Sequence, residues 1–227
     1  YRSGLNPFMI NHLKEIYQYS SSLINKIKVK NKNSDIKILD IGSNDGTFLN
    51  FFSKKINKFG CDPTAKKFKK YYSKEIIIIP KIFEKKILKT FKKKFKIITS
   101  IAMFYDLEKP IKFCKNIEKI LDTKGVFHVE IAYLPDIISK LSFDTFCQEH
   151  LTYFSYHSFK NLIDKTNLRI IDYHRNSING GSINFDLVLN ESKFKTNYKK
   201  LKNLEIFEKR IGIDNYKTYL KFAKKIK

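Results

Sequence analysis

The sequence predicts an α/β fold: a doubly wound, mostly parallel seven-stranded sheet that finishes with an antiparallel strand. Three observations predict it. Residues 36–41 form a short apolar, β-branched run of the kind buried on both faces of a parallel sheet, and Gly42 and Gly46 break it before a helical pattern begins at Thr47. Short apolar runs and helical patterns then alternate as far as Ile131, the signature of parallel strands with helices on both faces. Two more runs flank the turn Asn179-Gly180-Gly181, so the last pair should be antiparallel.

Taken in order, the chain opens at Tyr1 without a methionine and reads as part of a longer polypeptide. Residues 6–27 place Met9, Ile10, Leu13, Ile16, Tyr17, Leu23 and Ile24 at helical spacing. A lid or packing helix is expected there, and with its polar linker over 30–35 it makes an amino-terminal segment of residues 1–34. Residues 59–61 read as a second short strand, 64–73 as a helix of mixed charge, 75–79 as a buried strand and 83–91 as another helix. Residues 95–101 supply the fourth strand, 111–121 its helix and 125–131 the fifth strand. A helix over 158–166 precedes strands at 168–174 and 182–189, which complete a core expected over 35–192. From Asn197 a Lys-rich amphipathic stretch, apolar at Leu201, Leu204, Phe207, Ile211 and Phe222, forms a helical extension over 193–227.

With 227 residues and 42% hydrophobic content the chain can bury a sizeable core, which excludes a disordered polypeptide. The longest aliphatic run, 76–79, is far too short to span a bilayer, and no charged-then-apolar leader opens the sequence. A cytoplasmic protein without membrane contact is expected. Cys61, Cys114 and Cys147 are odd in number and far apart, which supports neither a disulfide framework nor a metal site. The net charge of +23 suits nucleic acid, an anionic membrane surface, or an anionic substrate such as a nucleotide diphosphate. Yet the lysines are scattered through nearly every segment and rise together with Ile, Asn and Phe, as compositional bias would produce. Nucleic acid is the weaker reading, because no Asn/Asp-Pro-Pro-Tyr/Phe motif, catalytic cysteine pair or aromatic-basic stripe accompanies the charge.

The loop Asp40, Gly42, Ser43, Asn44, Asp45, Gly46 carries the first sign of chemistry. Two glycines four apart let the backbone turn sharply and let a ligand approach the main chain. The loop lacks the third glycine of a dinucleotide fingerprint and the Gly-Lys-Ser/Thr of a phosphate loop. It resembles instead the first motif of class I S-adenosylmethionine (AdoMet) dependent methyltransferases. Asp62, before Pro63 at the end of the second strand, is placed to accept both hydroxyls of a ribose, although Asp-Pro also suits a turn or a helix cap. Ala102 and Met103 end the fourth strand on the same carboxyl edge. Beyond the fifth strand, residues 142–155 set Glu149 beside His150 with Tyr153 three residues on, a plausible proton-transfer cluster. His12, His128, His157 and His174 read as surface or structural histidines.

Nearly the whole chain resembles the sugar C-methyltransferases that act on nucleotide-linked keto-deoxyhexoses. The resemblance rests on Tyr1-Arg2-Ser3-Gly4, the Gly42–Gly46 loop, Gly60-Cys61-Asp62-Pro63, Met103-Phe104-Tyr105-Asp106-Leu107 and Glu130 with Tyr133-Leu134-Pro135. It is completed by Phe143-Asp144-Thr145, Glu149-His150-Leu151 with Tyr153 and Ser155, and Asn179-Gly180-Gly181-Ser182. It implies a Rossmann-like class I methyltransferase fold, AdoMet as cofactor with S-adenosylhomocysteine as product, no metal, and a nucleotide-diphospho sugar as substrate. The synthesis of bacterial surface polysaccharide or related deoxysugars is the implied setting. AdoMet falls to the glycine loop with Asp62, Pro63, Ala102 and Met103. The sugar falls to Arg2, Tyr105, Tyr133 and the turn Asn179, Gly180, Gly181, Ser182. His150 would remove the proton beside the ketone, Glu149 would orient or support it, and Tyr153 or Tyr105 would donate to the substrate. Relatives with tyrosine at the position of Cys147, or histidine at Gln148 or Asn179, leave the division of acid, base and enolate stabiliser open. Family members typically add an amino-terminal zinc module and a second carboxyl-terminal α/β domain, so this sequence looks like a catalytic core. Two alternatives stand beside it: methylation of oxygen or nitrogen on a sugar or other small molecule, and, from another class, a nucleic-acid-binding protein or RNA methyltransferase. Oligomeric state follows from none of these features.

Overall fold

The computed structural model describes residues 2–29, 36–91 and 94–226; the linker expected over 30–35 lies outside them. Helix α1 (Pro7–Val29) precedes β1 (Lys37–Ile41), the one-turn α2 (Thr47–Asn50), β2 (Asn57–Cys61), β3 (Ile76–Ile79) and β4 (Phe95–Ile101). Then come α3 (Pro110–Ile120), β5 (Leu121–Ala132), α4 (Leu134–Lys140), α5 (Tyr156–Ile163), β6 (Leu168–Asn176), β7 (Ser182–Leu189), α6 (Tyr198–Ile211) and α7 (Tyr216–Lys225).

The strand order is β3-β2-β1-β4-β5-β7-β6. β1 pairs in parallel with β2 and β4, β2 in parallel with β3, and β6 with β7 antiparallel, which is the sheet expected from the sequence. The winding reverses between β1 and β4, and the glycine loop leaves β1 at that switch point, where open α/β sheets bind ligands. The chain divides into two compact units: Tyr1–Ser100 with Asn116–Phe127, and Ile101–Lys115 with His128–Lys227.

In the first unit, Ile38, Leu39 and Ile41 of β1 are buried, as a strand covered on both faces requires. Helix α1 buries His12, Leu13, Ile16, Ser20, Leu23 and Ile24, one face at three- and four-residue spacing, and Tyr17 meets Phe52 edge-on at 4.8 Å. Two expected helices are absent in regular form. Residues 64–73 instead make 3₁₀ turns at Pro63–Lys66 and Lys69–Tyr71, and 83–91 one at Lys85–Thr90. Lys66, Lys67, Lys69 and Lys70 would stack like charges three and four apart along an α-helix, which opposes it. β3 is an edge strand rather than a buried one, with Ile77 51% exposed.

In the second unit, α4 was not legible from hydrophobic spacing, but Pro135 in its first turn is a favoured helix start. The carboxyl-terminal stretch is two helices, because Gly212 adopts φ +76° and ends α6, while the Asn215 side chain accepts from Lys217 N to start α7. Glu208 of α6 is buried and accepts hydrogen bonds from the backbone N–H groups of Tyr156 and His157, capping α5.

Candidate functional site

The first unit carries the glycine loop. Gly42 and Gly46 adopt φ +79° and +78°, and Asn44 φ +48°, so three residues of left-handed backbone lift the chain off β1. Tyr72 fills the space behind the loop, its hydroxyl donating to the Asn44 carbonyl at 2.8 Å and lying 2.8 Å from Ser43 Oγ. A Cβ on Gly46 would stand 2.5 Å from that ring, so this glycine makes room for Tyr72 rather than for a ligand. Asp40 is buried beneath and accepts a 2.7 Å hydrogen bond from the Thr99 hydroxyl; burial pushes its carboxyl up to about 7.

Asp62 turns out to do two things. It caps the turn after Pro63, accepting from Thr64 N and Thr64 Oγ1 at 2.6 Å each, and its other oxygen accepts from Asn44 N at 2.9 Å. A carboxylate offers about four lone-pair sites. Three are used, so Asp62 can take a further hydroxyl donor, and the donor chemistry fits the ribose of AdoMet. Pro63 beside it is exposed.

Three expectations change here. Asp45 is almost fully buried and spends its oxygens on Thr47 N, Thr47 Oγ1 and Gly4 N. Asn44 Oδ1 likewise accepts from Ser3 N at 2.9 Å. Arg2, expected at the sugar, packs its guanidinium 3.9 Å over the Tyr71 ring with Nε 3.8 Å from Asp45, so it braces the glycine loop.

The second unit carries the candidate base. Ala102 adopts φ +51° and its N–H donates to the Glu130 carbonyl, Met103 is half-buried, and a 3₁₀ turn, Phe104–Asp106, follows. The Tyr105 carbonyl accepts from both Leu151 N and Thr152 N at 3.1 Å, and the Tyr105 ring meets the His150 imidazole at 4.3 Å. His150 Nδ1 lies 2.9 Å from the Thr145 carbonyl oxygen. A carbonyl only accepts, so Nδ1 carries the proton, and in the neutral form of the ring the lone pair falls to Nε2. Tyr153 stands 6.1 Å from the imidazole, centroid to centroid, and donates to the same Thr145 carbonyl at 3.3 Å; burial raises its phenol above the ordinary value. Glu149, expected to orient or support His150, is exposed, and the imidazole Nδ1–H donates to the Thr145 carbonyl. Asp106, which sequence reasoning passed over, has its carboxyl raised to about 6: loss of hydration raises it, His150 lowers it and Glu149 raises it.

The sugar-binding expectations divide. Tyr133 is fully buried and its hydroxyl donates to Glu208 at 2.7 Å, so its substrate role gives way to a structural one. Ser182 is buried too, its hydroxyl donating to the Ile178 carbonyl. Gly181, at φ +138°, leaves no room for a side chain, because a Cβ would lie 2.4 Å from Asp136 Cβ. Asp136 in turn pairs with Arg175, which stacks 4.2 Å over Phe207. Asn179 and Gly180 are exposed. Of the four other histidines, His128 pairs with Asp186 at 2.6 Å inside the sheet, as a structural histidine does.

A switch-point glycine loop with a ribose-competent carboxylate, on a seven-stranded sheet of this order, defines the class of AdoMet-dependent methyltransferases. The chain belongs to the methyltransferase domain family, whose model matches residues 12–173. Over 68 residues it is 37% identical to the C-methyltransferase NovU of Streptomyces niveus, a match spanning 30% of this chain and 16% of that protein. Among solved structures it is similar to the plantazolicin methyltransferase BpumL, solved with S-adenosylhomocysteine: TM-score 0.59, 15% identity, 81% of this chain and 86% of that one. The mitomycin 7-O-methyltransferase MmcR is similar at TM-score 0.53 and 13% identity, covering 68% of this chain and 49% of that one. These two likenesses are of fold.

Proposed function

We propose that this chain methylates a carbon of a nucleotide-linked keto-deoxysugar, with AdoMet as donor. The observation that carries the reading is the hydrogen bond from His150 Nδ1 to the Thr145 carbonyl, which reserves the Nε2 lone pair for a proton. The identity to NovU supports carbon as the acceptor atom. Held at the glycine loop and Asp62, AdoMet supplies an electrophilic sulfonium methyl group. His150 Nε2 takes the proton from the carbon beside the ketone, and the electron pair left behind spreads into the carbonyl. The Thr145 carbonyl keeps the imidazolium oriented meanwhile. Tyr153, whose phenol burial raises above its ordinary value, is assigned as donor to the developing oxyanion, since its 3.3 Å bond to Thr145 is readily exchanged. Asn179 and Gly180 are assigned to the sugar.

A second reading is methylation of oxygen or nitrogen on an apolar small molecule. It is favoured by Phe143, Phe146 and Leu151, which stand exposed around the His150 segment. The same base would then deprotonate a hydroxyl or amine.

His150→Gln tests both. Turnover should fall by about 10²-fold or more, the usual contribution of a positioned base, while calorimetric AdoMet affinity stays unchanged. Near-normal turnover would remove His150 from the chemistry.

A further inference from the structure

We propose that the cavity between α5, β6 and α6 is a second binding site, which takes a small molecule with an apolar body and one terminal anion, a carboxylate or a phosphate monoester. It stands apart from the reading of His150, because none of the residues assigned above to AdoMet, the base or the sugar lines it.

The cavity lies wholly in the second unit and has a volume of about 550 Å³, within the range that small-molecule sites occupy. Its apolar lining comes from all three elements: Ile163 of α5, Ile170 of β6 and Leu201 of α6, each buried. Tyr156, at the start of α5, adds a buried ring, and Tyr198, at the start of α6, adds one that is 77% exposed. An apolar ligand body would displace water from these surfaces.

The charged lining has a surplus of cations. Lys160 pairs with Asp164 and Lys202 with Glu205, which uses both carboxylates of the cavity. Arg169 and Lys199 remain, and neither pairs with a carboxylate among the described residues. Arg169 is half-buried and held in place: Nη1 donates to Thr196 Oγ1 at 2.6 Å, and Nη2 to the Ser192 and Phe194 carbonyls at 2.9 and 2.7 Å. All three acceptors are neutral, so the charge of the guanidinium is uncompensated. Of its five N–H donors the Nε–H and one on Nη1 are left over. A ligand anion can accept from these as charge-assisted hydrogen bonds, and because the guanidinium is already fixed, little ordering is needed to form them. Lys199 is exposed and adds a second, adaptable cation.

2-Naphthoate and 2-naphthyl phosphate are the probes, with 2-naphthylmethanol as the uncharged control. Titrated into the full ¹⁵N-labelled chain, both anions should shift the amide signals of Tyr156, Thr196 and Lys199 with a Kd of about 1 mM or below, and the alcohol should bind about tenfold or more weakly. Whichever anion binds tighter identifies the anionic group the site prefers. Lys199→Glu changes only an exposed side chain and should weaken both anions about threefold or more while the alcohol holds. Arg169→Met should cost the anions about tenfold or more. Since Arg169 also holds the backbone of Ser192 and Phe194, its effect is read as the ratio of anion to alcohol affinity, which a loosened cavity would leave unchanged. Shifts confined to the exposed Phe143, Phe146 and Leu151, equal affinity for anion and alcohol, or anion binding indifferent to both substitutions would overturn the proposal.

Discussion

At His150 one backbone carbonyl decides which nitrogen is basic, and at Asp62 one carboxylate joins two loops while keeping room for a ligand. The expected outcome for Asp62→Ala is a loss of AdoMet affinity of roughly 1.5–3 kcal/mol, read by calorimetry, as charge-assisted hydrogen bonds disappear. Unchanged affinity would remove Asp62 from the cofactor site and leave it a cap. Sequence reasoning proposed both residues from their neighbours: a strand end before Asp62, a glutamate before His150. Tyr133, Arg2 and Ser182 make contacts that their neighbours in the sequence do not announce. The hydroxyl of Tyr133 is claimed by Glu208, 75 residues away, and no local pattern announces such a partner. Asp106 was passed over because its neighbours in the sequence are apolar or aromatic and its electrostatic partners, Glu149 and His150, arrive only through folding.

Among the elements, the segment between β1 and α2 depends on a residue well outside it. Tyr72, which sequence reasoning placed inside a charged helix, sits behind the glycine loop and ties Ser43 to the Asn44 carbonyl. Gly46→Ala should therefore cost more than its left-handed backbone alone: about 1–2 kcal/mol for φ +78°, and a further 1–3 kcal/mol for displacing the Tyr72 ring. Urea unfolding reads the sum, and a loss below about 0.5 kcal/mol would mean that the loop does not rest on Tyr72. The strands were legible because β-branched runs of four to seven residues have few alternatives in a two-sided sheet. The helix over 64–73 was overestimated because the repulsion among Lys66, Lys67, Lys69 and Lys70 was not weighed.

For the whole molecule, seven strands occupy the order that places the β1 loop at the reversal of winding, and the methyltransferase family match, residues 12–173, covers β1 to β5 and part of β6. Lysines dispersed over the chain account for the charge of +23 without a dedicated nucleic-acid stripe in the sequence. The remaining question is chemical: whether the base works on carbon. The most direct measurement is mass spectrometry of a nucleotide-linked keto-deoxysugar incubated with the protein in heavy water, with and without AdoMet. Deuterium should enter at the carbon beside the ketone without AdoMet, and a C-methyl product should form when AdoMet is added. Methyl transfer with no exchange at that carbon would contradict the carbon-base account and point to an oxygen or nitrogen acceptor.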